Sequence, residues 1–376
     1  MSSIICIVLN NFKNDGRVLN ESISLKSAGY DVKVVALSSY DDDLKEFDEI
    51  DGILVHRIKL KYWPKNRFIK ILKYIEYVYR CVKLYNKNDV FHCNDLQALP
   101  IGVIIKLFFN KKAKVVYDIH EFETEIYGIS KFEKKMRYLL EKILIRHIDA
   151  CFTVSKSIAN EYYKLYGIRP VLIFNALRYV ELEKTDKFRE VLPIKKDSII
   201  ILYQGGFTKG RGLQFWLEAF KQRKDNKVVL VFMGYGELEG EIKNASNDSN
   251  NIFYHPTVTQ DIMLKYTISA TVGIVPYIYD SCLNHYYCMP NKIFEYTMVG
   301  LPVIVSNLKD LAQTVKKYNL GVVTKNDTPE AINEAIDELL SMDLDKLKDN
   351  ALKFAKEYCW EEQEKKMIDE YERILA

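Results

Sequence analysis

Residues 198–213 read Ser-Ile-Ile-Ile-Leu-Tyr-Gln-Gly-Gly-Phe-Thr-Lys-Gly-Arg-Gly-Leu. The apolar, β-branched start predicts a buried strand, and the glycines that follow predict a turn before the helix that contains Trp216 and Phe220. Glycines let the backbone approach an anion, while Lys209 and Arg211 supply charge that suits phosphate oxygens. The stretch lacks the Gly-Lys-Ser/Thr ending of a P-loop, so it predicts a strand–turn–helix unit with a different phosphate-binding turn.

Apolar strands alternate with helical stretches along the whole chain. This alternation predicts an α/β protein with parallel sheets covered by helices on both faces, arranged as two Rossmann-like domains. The strands expected in the first domain are 4–9, 31–37, 90–93, 114–118, 150–154 and 171–173. Those expected in the second are 198–204, 227–233, 252–255, 272–276, 302–306 and 321–323.

A charged stretch without clear periodicity, 175–193, is expected to link the two domains. The N-terminal domain is therefore placed at 1–175 and the C-terminal domain at 176–360. The last segment, 361–376, is predicted to form a helix with one apolar face. It is assigned to the first domain on the basis of the family resemblance described below.

Composition excludes several classes of protein. With 376 residues, 48% hydrophobic and 28% charged, the chain is expected to be a soluble globular protein of two domains. The apolar start at 4–9 has no basic leader, so it is interpreted as a strand and not as a signal peptide or membrane span. Seven cysteines without a C-x-x-C pair indicate a reducing cytoplasm, with no disulfide framework and no zinc site.

The loops expected at the carboxyl ends of strands in the first domain carry candidate site residues. Gly16 precedes a helix and lets the backbone approach an anion. The loop after the 114–118 strand holds Asp118, His120 and Glu121. His120 is the leading candidate for contact with a reacting group, because a near-neutral imidazole can donate or accept a hydrogen bond. A structural role for His120 remains equally open from spacing alone, and His92 is interpreted as structural.

A second candidate site lies in 286–300, where Pro290 is placed to open a helix whose N-terminus attracts phosphate. In the sequence Asn-Lys-Ile-Phe-Glu that follows, Lys292 and Ile293 stand near that N-terminus, and Glu295 is placed to accept hydrogen bonds from two ribose hydroxyls. Gly234, in a glycine turn after the 227–233 strand, lets a base or ribose lie against the backbone. A capped helix of an ordinary α/β domain is the alternative.

These motifs, in this order, closely resemble the retaining glycosyltransferases of family 4, which have the GT-B fold. The resemblance rests on Gly16, the His120-Glu121 turn, Asn175, Gly-Arg-Gly at 210–212, Gly-Tyr-Gly at 234–236, Pro-Asn-Lys-Ile-Phe-Glu-Tyr at 290–296, Gly300 and the Trp360 helix. It implies two Rossmann-like domains facing across a cleft, with the C-terminal helix crossing back to the N-terminal domain. It also implies that a nucleotide-sugar is held mainly by the second domain and that an acceptor enters from the first.

The resemblance assigns roles to individual residues. Glu295 would hold the ribose, Gly16 would approach the diphosphate, and His120 would contact the transferred sugar. The residues implied around the donor as a whole are Gly16, Gly206, Lys209, Arg211, Gly234, Lys292, Ile293 and Glu295, with Asp118, His120 and Glu121 at the reacting centre. Two positions depart from the family pattern, since Tyr287 replaces the first glutamate of a Glu-x7-Glu pair and Gly206 replaces one of two basic residues.

The chemistry so implied needs no metal ion and no cofactor beyond a UDP- or GDP-sugar substrate, because fixed cations and helix N–H groups offset the charge of the departing diphosphate. The acidic run Asp41-Asp-Asp43 is interpreted as a solvated loop and not as a metal-binding motif. A sugar-nucleotide 2-epimerase of the same fold and a non-catalytic sugar-nucleotide-binding assembly protein are the alternatives.

Charge is distributed unevenly along the chain. Residues 1–175 hold 28 Lys and Arg against 21 Asp and Glu, whereas 176–376 hold 26 against 30. The segment 66–87 is basic and aromatic, and it is predicted to lie on an anionic membrane surface next to a glycan or lipid-linked acceptor. No nucleic-acid-binding signature accompanies it. The expected protein is a cytoplasmic transferase, peripheral on the inner face of the cell membrane, that builds a cell-surface polysaccharide.

Overall fold

The computed structural model describes residues 1–39, 43–60, 67–225, 227–278 and 282–376, and for 67–69 it describes the backbone alone. The chain divides into two units. Unit 1 contains Met1–Ile173 together with Glu364–Ala376, and unit 2 contains Phe174–Gln363. Among the described residues, every helix is too short or too polar to span a lipid bilayer.

Unit 1 is built on a sheet whose described strands follow the order β3-β4-β2-β1-β5-β6-β7-β8, all parallel except for the antiparallel pair β3 and β4. Its elements are β1 Ser3–Ile7, α1 Gly16–Ser27, β2 Asp31–Ser39, β3 Phe47–Ile50, β4 Ile53–Leu60, α2 Arg67–Tyr85, β5 Val90–Asn94, α3 Asp95–Ile104, β6 Lys114–Ile119, α4 Lys131–Leu144, β7 Ala150–Thr153, α5 Lys156–Tyr166 and β8 Val171–Leu172. The central strands are buried on both faces, which explains their continuous apolar sequence.

Unit 2 contains a parallel sheet whose described strands follow the order β11-β10-β9-β12-β13-β14. Its elements are α6 Lys187–Val191, β9 Ile199–Gly206, α7 Leu213–Gln222, β10 Val228–Tyr235, α8 Glu239–Asn247, β11 Ile252–His255, α9 Gln260–Thr267, β12 Val272–Val275, α10 Leu283–Tyr287, α11 Asn291–Met298, β13 Val303–Val305, α12 Lys309–Tyr318, β14 Gly321–Val323, α13 Pro329–Ser341, α14 Leu344–Tyr358 and α15 Trp360–Leu375. The last helix begins in this unit and ends in unit 1.

All twelve predicted strands are present, but β3 and β4 were missed. These two strands form a hairpin that turns at Asp51 and Gly52, whose φ angles are +49° and +80°. An Asp-Gly pair between apolar residues is a strong hairpin signal, because both positions favour the left-handed region. The signal was therefore present in the sequence, although the polar residues of β3 concealed it.

The predicted linker, 175–193, belongs to unit 2 and contains α6, whose Phe188 is fully buried. The helix α2, which forms most of the segment predicted to lie on a membrane, exposes Ile71, Leu72 and Ile75. It is anchored by Tyr77, Cys81, Val82 and Tyr85.

The C-terminal helix α15 packs its last three turns against unit 1, as the family resemblance implied. Tyr371 is fully buried there, and its hydroxyl lies 2.8 Å from Nδ1 of His92. Arg373 donates to the carbonyl of Asp149, and Ser24 donates to Glu364. Residues 364–376 are therefore a structural part of unit 1.

Tyr371→Ala should reduce the free energy of unfolding of unit 1 by about 3–5 kcal/mol, because it removes a buried aromatic ring. Tyr371→Phe should cost about 1–3 kcal/mol, because it keeps the ring and leaves His92 without its hydrogen-bond partner. Urea unfolding followed by circular dichroism measures both changes. Glu372→Ala, on the exposed side of the same helix, is the control and should change stability by less than about 0.5 kcal/mol. Equal stability of all three variants would contradict this docking of the helix.

Candidate functional site

In unit 1 the candidate residues lie where ligands bind to parallel sheets, at the carboxyl ends of β1, β5 and β6. Two residues at this edge have backbone strain. Phe12 follows β1 with φ of +53° and Asp95 follows β5 with φ of +64°, although neither is glycine. Such strain concentrates at functional sites, where the surrounding structure holds the backbone in place. Gly16 opens α1 beside them and is half-buried.

A buried ion pair between Arg17 and Asp118 joins α1 to the end of β6. The Arg17 Nε and Nη2 atoms lie 2.9 and 2.8 Å from the two carboxylate oxygens of Asp118, and Nη1 donates to the carbonyl of Ile173 at 3.0 Å. Burial would raise the pKa of Asp118, but the charges of Arg17 and His120 outweigh it and hold the pKa well below its usual range. Asp118 therefore stays ionised and serves to orient its neighbours.

His120 is held between two carboxylates. Its Nε2 lies 2.9 Å from Oδ2 of Asp118, its Nδ1 lies 3.6 Å from Oδ2 of Asp95, and its backbone N–H donates to Asp95 at 3.1 Å. Burial alone would lower the pKa of the imidazole, but Asp95 and Asp118 outweigh this effect and raise the pKa to about 10. The expectation of a near-neutral imidazole was therefore wrong, since His120 is a cation at neutral pH. Glu121, the next residue, is exposed.

Behind His120 lie Glu21 and His92, both buried. The Nε2 atom of His92 is 3.7 Å from Glu21 and 3.8 Å from Asp118, distances that allow an electrostatic contact but no hydrogen bond. A metal ion could find three ligands here, since one side-chain atom from each of Glu21, His92 and Asp118 lies within 4.8 Å of the other two. However, Nε of Arg17 lies 3.1 Å from Glu21 as well as beside Asp118, so a guanidinium already supplies the positive charge between these carboxylates.

In unit 2 two cations lie together at the carboxyl end of β9. The Arg211 guanidinium stacks 4.1 Å from the centre of the Tyr277 ring, and Nζ of Lys292 lies 5.1 Å from the Tyr203 ring and 5.9 Å from the Tyr277 ring. Burial and the charge of Arg211 lower the pKa of Lys292 to about 8. Two cations held close together on aromatic faces form a site that favours a multiply charged anion.

Glu295 lies on α11, one turn after Lys292, and is fixed by a glutamine. Nε2 of Gln204 donates to Glu295 at 2.6 Å, and Oε1 of Gln204 accepts from the Thr267 hydroxyl at 2.8 Å. One carboxylate oxygen is thus oriented by the end of β9. The Ile293 side chain, by contrast, is fully buried in the core of unit 2, and its N–H donates to Pro290 at 3.2 Å.

The glycines of the turns after β9 and β10 differ in the space around them. Gly205 has φ of +118°, and a Cβ there would lie 3.2 Å from Nζ of Lys292. Gly234 has φ of +156°, and a Cβ there would lie 1.9 Å from the carbonyl of Gly205. Both turns therefore need glycine. Gly206 has open space, since the nearest atom to an added Cβ would be a methyl of Thr208 at 3.9 Å.

The remaining residues predicted around this turn are placed as follows. Lys209 is exposed, and its backbone N–H donates to Glu237 at 2.5 Å. Tyr287, which stands where the family pattern has a glutamate, is buried, and Nζ of Lys309 lies 5.0 Å from its ring centre. Asp41 and Asp42 lie outside the described residues.

The sequence did not reveal several residues that build these sites. In unit 1 they are Arg17 and Glu21, and in unit 2 they are Tyr203, Gln204 and Tyr277. Arg17 directly follows Gly16 at the start of α1, so its position beside an expected anion-binding turn was a usable signal. The two tyrosines offered none, because aromatic residues near strand ends are most often core residues.

The chain matches two family models that together cover most of its length. A model described as Glycosyltransferase Family 4 matches residues 17–177, and a model described as Glycosyl transferases group 1 matches residues 184–358. Among curated proteins, the chain is 23% identical over 332 residues to an uncharacterized glycosyltransferase of Methanocaldococcus jannaschii, covering 83% of this chain and 81% of that protein. It is 22% identical over 333 residues to the capsular polysaccharide biosynthesis glycosyltransferase CapM of Staphylococcus aureus, covering 84% and 82%.

Solved structures share the fold. Sucrose-phosphate synthase from Thermosynechococcus elongatus has a TM-score of 0.82 at 18% identity, with all of both chains covered. HepE of Anabaena, solved in complex with UDP-glucose, has a TM-score of 0.75 at 14% identity, with 99% of this chain and 100% of that chain covered. The family models, the relatives and the fold agree, and the chain belongs to the GT-B glycosyltransferases of the family 4 and group 1 type.

Proposed function

We propose that the protein is a metal-independent, retaining glycosyltransferase that moves a sugar from a UDP- or GDP-sugar to a glycan or lipid-linked acceptor. The observation that carries the proposal is the pairing of Arg211 with Lys292, which lies one helical turn before Glu295 on α11. This arrangement offers two cations to a diphosphate and one oriented carboxylate to a ribose, which is the pattern of charge that a nucleotide-sugar presents.

In the proposed donor site, the diphosphate binds to Arg211, Lys292 and the N-terminus of α11. Gly205, Gly206 and Gly234 let the nucleotide approach the backbone, and Lys209 adds exposed positive charge nearby. Ile293 contributes only backbone atoms, because its side chain belongs to the core. Gly16, at the start of α1, is the proposed backbone contact from unit 1.

In the proposed transfer step, the bond between the anomeric carbon and the diphosphate oxygen breaks while the acceptor oxygen bonds to the same face of that carbon. The acceptor hydroxyl gives its proton to the departing phosphate oxygen, so the reaction balances without an enzymic nucleophile. His120 donates a hydrogen bond to the transferred sugar as an imidazolium, and Asp118 and Asp95 keep it charged and oriented. Arg211 and Lys292 offset the negative charge that develops on the diphosphate.

The acceptor and the location of the protein are also proposals. The name of the relative CapM refers to capsular polysaccharide, which favours a role in cell-surface polysaccharide synthesis on the cytoplasmic side of the membrane. On α2, Lys70 and Lys83 are exposed and suited to anionic lipid, whereas Arg80 pairs with Glu76 at 2.7 Å. Lys61, Trp63 and Lys65, which precede the predicted membrane segment 66–87, lie outside the described residues.

Donor binding is tested by calorimetry with UDP, GDP and their sugars. One of the two nucleotides should bind, and Glu295→Gln should weaken that binding by about 1–3 kcal/mol, because a charged hydrogen bond to the ribose is lost. Glu338→Gln, on an exposed part of α13, is the matched control and should leave affinity unchanged. Equal affinity of the Glu295→Gln variant and the parent would exclude Glu295 from the ribose site.

The affinity for the diphosphate should decrease as the pH rises above about 8. The pKa of Lys292 is about 8 in the free protein, and a bound diphosphate raises it, so binding takes up a proton in this range. Affinity should fall by up to tenfold per pH unit above pH 8 and be constant below pH 7. Lys292→Arg should keep its affinity at pH 9, and Lys292→Met should bind weakly at every pH. A pH-independent affinity of the parent would contradict the role of Lys292.

Turnover is tested with the identified donor and lipid-linked glycan acceptors, and NMR of the product shows whether the anomeric configuration is retained. His120→Ala should lower kcat by about 10²–10⁴-fold while nucleotide affinity is unchanged. Since the pKa of His120 is about 10, the parent should show no loss of rate from this group between pH 6 and 9. His147→Ala, at a half-buried histidine in the turn that follows α4, is the control and should leave kcat unchanged. Inversion of configuration would refute the retaining mechanism, and epimerised donor without transfer would favour the epimerase alternative.

A further inference from the structure

The helix α4 of unit 1 exposes an apolar stripe to solvent. Its exposed side chains include five large apolar residues, which are Phe132, Met136, Leu139, Leu140 and Ile143, with exposed fractions between 41% and 71%. At 3.6 residues per turn these positions fall within about 100° of arc, which is the width of a face that a helix normally turns to the protein core. A continuous exposed apolar patch of this kind marks an interaction surface.

The opposite face of α4 is polar and holds the helix in this orientation. Glu141 is fully buried and accepts hydrogen bonds from the hydroxyls of Tyr117, Tyr162 and Tyr166. Burial raises the pKa of Glu141, and the three tyrosine hydrogen bonds act against that rise. Turning the apolar stripe inward would break all three bonds, so the outward direction of the stripe is a stable property of unit 1.

The start of α4 is fixed as well. Ser130 and Glu133 form a capping box at its N-terminus. One turn later, Nη1 of Arg137 lies 2.5 Å from Glu123, whose other oxygen accepts from the backbone N–H of Leu96 at 2.9 Å. The helix is thus held at its start, at Arg137 and at Glu141, and the stripe is rigidly presented.

A second group of exposed apolar side chains lies on α2, and both α2 and α4 pack against α3. On α2 the exposed apolar residues include Ile71, Leu72, Ile75 and Tyr79, with exposed fractions between 55% and 64%. The two helices therefore present apolar side chains from the same side of the unit 1 sheet.

Charge beside the stripe indicates what covers it. Lys131, Lys135 and Lys142 follow one another along one flank of the stripe and are exposed. An amphipathic helix with an apolar face and an adjoining row of lysines suits an anionic bilayer, in which acyl chains take up the apolar residues and headgroups pair with the ammonium groups. A second copy of this chain would instead bring a surface of the same positive sign against the lysines.

We propose that α4 is the element of this protein that inserts into the interface of an anionic lipid bilayer, with the exposed apolar residues of α2 as a second contact. This inference rests on the membrane association in the proposed function and names a different helix as its main determinant. It does not depend on the donor nucleotide or on the transfer step.

Vesicle sedimentation tests the proposal with the 376-residue chain and two lipid compositions, phosphatidylcholine alone and phosphatidylcholine with 30% phosphatidylglycerol. The parent should bind the anionic vesicles, and the double variant Leu139→Glu/Ile143→Glu should bind them at least about tenfold more weakly. Lys131, Lys135 and Lys142, each changed to Gln, should weaken binding by about fivefold per residue on anionic vesicles and not at all on neutral ones.

The matched control is Phe47→Glu/Val191→Glu, which adds the same charge at apolar positions that are 69% and 54% exposed on β3 and α6. It should bind vesicles like the parent, and calorimetry with nucleotide should be unchanged in every variant. A second arm, Lys70→Gln/Lys83→Gln, measures the contribution of α2 separately.

Undiminished binding of Leu139→Glu/Ile143→Glu overturns the role of α4. Membrane association through α2 is then tested by the Lys70→Gln/Lys83→Gln variant alone. A dimer in sedimentation velocity that the same double variant dissociates also overturns it, because the stripe is then a contact between copies. If the parent binds neither vesicle, the membrane proposals fail, whereas transfer to a soluble glycan acceptor would still support the enzyme.

Discussion

The ion pair between Arg17 and Asp118 is the contact on which the candidate site of unit 1 depends. It lies in the interior, with 5% and 0% of the two side chains exposed, and joins α1 to the end of β6. A buried charge that loses its partner is strongly destabilising, so neither residue can be replaced alone without cost. The same carboxylate orients His120, which means that the geometry of the proposed reacting centre and the packing of α1 on the sheet are set by one interaction.

Unit 2 has the opposite electrostatic character. Around Arg211 and Lys292 positive charge is in excess, and tyrosine rings stand where carboxylates would otherwise neutralise it. The lowered pKa of Lys292 reports the energetic cost of burying its ammonium group and of holding it beside Arg211. A multiply charged anion bound at the proposed donor site would recover that cost, because both cations are already in place and need no reorganisation. Unit 1 thus keeps its charges balanced, whereas unit 2 leaves an excess of positive charge that suits an anion.

The strands could be predicted from the sequence more fully than the contacts between residues that are distant along the chain. Continuous apolar runs identified twelve strands, because a strand buried on both faces has a distinctive composition. The glycine turn and Glu295 were found because their neighbours in the chain carry the signal. Arg17 was not, since its partner Asp118 is 101 residues away and only the sheet order brings them together. For the same reason the protonation state of His120 could not be foreseen, as it is set by Asp95 from a different strand end.

The helix α4 illustrates the remaining limit. Its periodicity predicts an amphipathic helix with its apolar side toward the core. The orientation of the helix is set by Glu141, on its polar side, which accepts hydrogen bonds from three tyrosines of other elements. Burying that carboxylate with its hydrogen bonds formed outweighs the gain from burying the apolar stripe, because an unpartnered carboxylate in the interior costs more than exposed leucines do in water. The apolar surface of α4 is therefore a consequence of interior contacts. Because Glu141 and its hydrogen bonds occupy the inner side of the helix, the apolar side chains face outward.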